Sequence, residues 1–67
     1  MGKLPEYQDE VKHKQQDAIG VVIAKYPKFL KDGARWFLDI RLSDNSILYV
    51  TPAENWETVH TAEERGQ

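Results

Sequence analysis

Three carboxylates, Asp39, Glu54 and Glu57, two serines, Ser43 and Ser46, and two histidines, His13 and His60, are the side chains through which this chain could do chemistry. Nucleophilic catalysis needs a hydroxyl or thiol beside a base. There is no cysteine, and both serines fall in Ser43-Asp44-Asn45-Ser46, which reads as a turn. A carboxylate acid or base must lie within hydrogen-bond reach of a substrate. Asp39 reads instead as a partner for Arg41 or a neighbouring strand, Glu54 as a turn cap, and Glu57 as surface. The histidines would meet only if the first and last strands are neighbours, and two ligands leave a metal site incomplete. We therefore expect no enzyme, no metal and no cofactor.

The aromatic side chains say more. The chain holds two Trp, three Tyr and two Phe, more than a small core can hide. Tyr26, Phe29, Leu30, Arg35 and Trp56 are the candidate ligand-binding surface, with Lys25, Lys28, Lys31 and Arg35 as a basic stripe beside it. Such a cluster could grip a peptide or stack on single-stranded nucleic acid. The plain alternative is that Phe29 and Leu30 fold back and plug the end of a core.

The elements that must carry these residues are strands. Asp9–Lys14 is a short one with Val11 inward. Ala18–Tyr26 is rich in β-branched residues, with Gly20 marking a bulge or close backbone approach and Pro27 as its stop. Pro27–Gly33 is expected to be a loop. From Trp36 the chain alternates: Trp36, Leu38, Ile40 and Leu42 share the core face, and Phe37, Asp39 and Arg41 the other. A two-residue Asp44-Asn45 turn then sets Ile40 opposite Tyr49, which sends Ile47 and Tyr49 inward. Phe37, Leu48 and Val50 are left as an outer apolar strip, the candidate self-association surface. The alternative is that Leu4 and Tyr7 of the N-terminal segment cover that strip. Thr51-Pro52-Ala53-Glu54 has the form of a capping box, read as one 3₁₀ turn before a last strand, Trp56–His60.

Size and charge bound the rest. Sixty-seven residues make one domain with a marginal core, buried to about 60% of the unfolded surface. The divisions expected are a flexible segment 1–8, a barrel 9–60 and a polar tail 61–67. A formal charge of −2 argues against a dedicated DNA-backbone binder, which carries a basic excess. No apolar run approaches the roughly 20 residues of a membrane span, and no apolar signal core is present, so a cytoplasmic setting is expected.

Five short strands, a tight hairpin and a single 3₁₀ turn before the last strand resemble the Src-homology-3-like (SH3-like) barrels. The chain is similar to Tudor-like and KOW-like modules at Asp9, Val11, Gly20 and Val22. It also resembles the plasmid-borne type II dihydrofolate reductases, at Asp9-Glu-Val-Lys12, Gly20-Val-Val22 with Tyr26, Ile47–Tyr49, Pro52-Ala53 and Glu57-Thr-Val59. That family's tetrameric pore is lined by Val-Gln-Ile-Tyr and a lysine. Here the segment is Ser46-Ile-Leu-Tyr49, with Ile47 where the glutamine stands, and the lysine position falls near His13. The resemblances imply an all-β, five-stranded SH3-like barrel with flexible termini. The function expected is a non-enzymatic module that binds a protein or peptide and self-associates. Nucleic-acid binding is the alternative, and a tetrameric reductase relative the third.

Overall fold

The computed structural model describes residues 3–66. Five antiparallel strands form one sheet: β1 (Glu10–His13), β2 (Ile19–Leu30), β3 (Gly33–Leu42), β4 (Ile47–Pro52) and β5 (Trp56–His60), in the order β4-β3-β2-β1-β5. A 3₁₀ turn, Ala53–Asn55, joins β4 to β5. The expected all-β architecture is present, with the turn before the last strand, and it is compatible with a small barrel. The sheet curls over a core of Val11, Val22, Leu38, Ile40, Ala53 and Trp56, each at most 2% exposed. Four of the five strands and the 3₁₀ turn contribute to it. Each of the larger of these side chains adds about 1.5–3 kcal/mol by leaving water. Gly20 lets β2 and β3 close on one another: a Cβ there would stand 2.5 Å from Ile40 Cγ2 and 2.6 Å from the Arg41 carbonyl oxygen.

Pro27 does not end β2, and Pro27–Gly33 is not a loop. β2 continues to Leu30, turns through Lys31-Asp32 and returns as β3, pairing Pro27 with Trp36, Lys28 with Arg35 and Phe29 with Ala34. The reason lies in the ladder. Alternate pairs of an antiparallel ribbon exchange hydrogen bonds. Counting back from Leu30–Gly33, which closes the two-residue turn, Pro27–Trp36 is a pair that exchanges none. The missing N–H therefore falls on β2's outer edge, and β1 reaches only as far as Val21 along that edge. Proline is tolerated in a strand at such an edge.

The hairpin corrects the register near its turn. Ser43-Asp44-Asn45 is a three-residue loop: the Asn45 amide donates to the Leu42 carbonyl at 2.9 Å, the Leu42 amide donates to Ser46 at 2.8 Å, and only Asn45 takes positive φ, +72. The Ser46 hydroxyl and amide donate to Asp44 Oδ1 at 2.6 and 3.0 Å and hold that carboxyl below its ordinary value. With one more loop residue, Ile40 faces Leu48 and Arg41 faces Ile47. The expected register returns at Leu38–Thr51, because a bulge at Tyr49-Val50 absorbs the extra residue. Ile47 and Tyr49 are therefore not in the core; they are 36% and 67% exposed. Val50 sits in the bulge at φ +57.

Thr51 does not cap the 3₁₀ turn, which begins after Pro52 with no side-chain cap. Its hydroxyl donates to the Leu38 carbonyl at 2.8 Å and accepts from the Trp56 indole at 3.0 Å, so it ties β3, β4 and β5 together. The reciprocal box lies instead at Thr61-Ala62-Glu63-Glu64. There the Glu64 amide donates to Thr61 Oγ1 at 3.1 Å, and the Thr61 amide donates to Glu64 Oε1 at 2.9 Å. Asp9 fastens this turn to the rest. It is 6% exposed and accepts from the Glu6 amide (2.9 Å), the Thr58 hydroxyl (3.2 Å) and the Ala62 amide (3.1 Å). Pro5 is buried and Leu4 packs against the core.

Candidate binding surface on the β2–β3 ribbon

Beyond the point where β1 and β4 stop pairing with them, β2 and β3 continue as a two-stranded ribbon, which contributes to a long axis of 37 Å against 23 and 20 Å. Residues paired across a ribbon lie on one face, and successive residues alternate. Lys25, Pro27, Phe29, Ala34 and Trp36 therefore share the face of Leu38, continuous with the core side of the sheet. Tyr26, Lys28, Leu30, Arg35 and Phe37 share the opposite face.

The core-side face is the apolar one. Phe29 is 83% exposed, and Trp36, expected in the core, is 43% exposed. Trp36 is the next residue on this face after the fully buried Leu38 and lies outside the core cluster. Phe29 and Leu30 do not plug the core; both are exposed. Lys25 frames the inner end. Its ammonium lies 5.3 Å from the Trp36 ring centroid and 3.0 Å from Glu6 Oε1, with only 16% of the side chain exposed.

The four residues of the basic stripe do not form one stripe. Lys25 is on the core-side face and is held by Glu6 and Trp36. Arg35 is on the other face, donates to Glu54 Oε1 at 2.6 Å, and stacks with Lys28 on Phe37, at 5.7 and 5.8 Å. Lys28 and Lys31 have no carboxylate within ion-pair distance among the described residues. Phosphate tracking needs cations on one surface, and these are divided between two.

The other candidates are likewise dispersed. Trp56 is not on the ligand surface; it is 2% exposed in the core. Tyr26 is half-buried on the outer face, donating to Asp39 Oδ1 at 2.7 Å. The environment raises its pKa, first through burial and then through the Asp39 carboxylate. The Phe37–Leu48–Val50 strip is broken up: Phe37 lies under Lys28 and Arg35, while the register shift sets Leu48 opposite Ile40 on the core side and puts Val50 in the bulge. What remains exposed on β4 is its edge, with Ile47, Leu48, Tyr49 and Val50 all at 36–67% exposure.

The histidines fall at opposite ends of the β1–β5 pair, His13 opposite Trp56 and His60 opposite Glu10. His13 Nδ1 accepts from the Gln15 and Gln16 amides, both at 3.1 Å. Asp39, Glu54 and Glu57 are occupied separately, by Tyr26, by Arg35 and by a place opposite Lys12. Among the described residues no helix is long and apolar enough to cross a membrane. Comparison with protein-family models, curated proteins and solved structures finds no match to this chain.

Proposed function

We propose that this chain is an SH3-like barrel that binds a protein segment on the core-side face of its β2–β3 ribbon, through Phe29, Trp36 and Pro27. The observation that carries the reading is Phe29, 83% exposed on the same face as the half-exposed Trp36. Covering an exposed aromatic ring contributes about 1.5–3 kcal/mol. Pro27 leaves the ribbon's edge short of one donor, so side chains rather than strand addition would hold the partner. The division of the basic residues between two faces favours a peptide over a nucleic-acid backbone. Self-association belongs to the same proposal, through the exposed apolar edge of β4, where Ile47 and Leu48 lie nearest the hairpin.

The test is selection of a displayed random-peptide library on the immobilised protein. The expected result is peptides whose affinity changes little with salt and falls at least tenfold in Phe29→Ser and Trp36→Ala. Failure to select any peptide, or peptides indifferent to both changes, would overturn it. A fluorescent oligothymidylate that binds with steep salt dependence would favour the nucleic-acid reading instead. Light scattering over a concentration series tests self-association; the apparent mass should rise with concentration and fall back in Leu48→Asp.

A further inference from the structure

Away from the ribbon, on the outer face of the sheet, a recess of about 220 Å³ is lined by Tyr7, Gln8, Val21, Ile23, Arg41 and Arg65. Two arginines from distant parts of the chain line it. Arg65 is fixed there: its Nη1 donates to the Gln8 carbonyl at 2.7 Å. Gln8 is itself pinned, taking φ +71 in a turn closed by the Asp9 amide on the Glu6 carbonyl, while its own amide donates to Val22 at 2.8 Å. Arg41 reaches the recess from β3, opposite Val21.

Neither arginine has a carboxylate within ion-pair distance among the described residues, although the chain carries 11 acidic residues. Glu10, which also pairs with Val21, borders the adjoining hollow with Arg41 but forms no ion pair with it. Two arginines lining one recess, with no ion pair among the described residues, suit an anion that supplies both charges.

We propose that this recess binds a phosphate dianion, either free or as a phosphomonoester. Two cations match its charge of about −2 near neutral pH, whereas a carboxylate or a phosphodiester brings one. The planar guanidinium fork suits its oxygens, and Tyr7 lines the same recess.

The test follows the arginine side-chain Nε–Hε signals of ¹⁵N-labelled protein at fixed ionic strength. Inorganic phosphate should shift Arg41 and Arg65 saturably, and chloride or acetate should not. Arg41→Gln, which removes no hydrogen bond the fold uses, should weaken phosphate binding at least tenfold, and Arg65→Gln similarly. Lys14→Gln should leave it unchanged. An N-acetyl phosphoserine amide titration separates the sources: tighter binding than inorganic phosphate assigns the site to a phosphomonoester, and weaker binding to the free ion. Shifts that are equal in chloride, or that survive Arg41→Gln, would overturn the proposal.

Discussion

The Val50 amide donates to Asp39 Oδ1 at 2.9 Å, and Val50 stands at φ +57, where a β-branched residue is strained. The same oxygen accepts the Tyr26 hydroxyl. One carboxylate thus holds the bulge that reconciles a three-residue hairpin loop with the register at Leu38–Thr51. Asp39→Ala should lose about 1–3 kcal/mol, since two donors lose a charged acceptor. Val50→Gly should gain up to about 1 kcal/mol: relief of about 1–2 kcal/mol of left-handed strain outweighs glycine's added unfolded-state freedom. Urea denaturation of both variants checks the pair of signs. A destabilised Val50→Gly would mean that the bulge carries no strain.

Tyr26 gives a pH dependence. Its pKa is raised above 10.0 in the folded protein, so its contribution to stability is intact below about pH 10. Above that, the unfolded chain gives up the proton first, and stability declines until the folded phenol ionises as well. Tyrosinate absorbance of the wild type minus that of Tyr26→Phe isolates the titration, and its midpoint should lie above 10.0. The alkaline loss of stability should be smaller in Tyr26→Phe.

Asp9 joins residues 49 and 53 positions away in the chain, Thr58 and Ala62. Removing its carboxylate strands three donors, so Asp9→Ala should lose about 3 kcal/mol. That is a large part of the roughly 3–10 kcal/mol expected for 67 residues. Thr58→Val, which removes one of the three, should lose about 1 kcal/mol. Thermal unfolding by circular dichroism separates them; equal effects would remove Asp9 from its place as a junction.

Gly20 is a site of close approach. Gly20→Ala drives a methyl into Ile40 and the Arg41 backbone, at a cost of about 1–3 kcal/mol. Chemical denaturation should show a lower midpoint at unchanged slope.

These residues also show how far the sequence could be read. The β-branched residues Ile19, Val21, Val22 and Ile23, the alternation of Leu38 and Ile40, and Gly20 inside a strand are local signals that set β2, β3 and their contact. Pro27 carries a signal that depends on context. It stops a strand paired on both sides but not one with a free edge, and which applies depends on where β1 ends. Asp44-Asn45 favoured a two-residue turn, whereas Asn45 alone takes positive φ; one residue of loop length moved Tyr49 out of the core. Two Thr-x-x-Glu sequences occur, at Thr51 and Thr61. Only the second forms the box, because the Thr51 hydroxyl is drawn to the Leu38 carbonyl and the Trp56 indole by the strand it occupies. The exposure of Trp36 followed from the length of the ribbon, which no local pattern encodes.

The claim on which the functional account rests is that a partner covers the core-side face of the ribbon. Backbone amide shifts of ¹⁵N-labelled protein, titrated with the tightest peptide from the library selection, test it most directly. The account predicts that the largest changes fall on Lys25, Phe29, Ala34 and Trp36, with the Trp36 indole N–H among them. Changes centred on β5 or on the Thr61–Glu64 turn, with Phe29 and Trp36 unmoved, would contradict it.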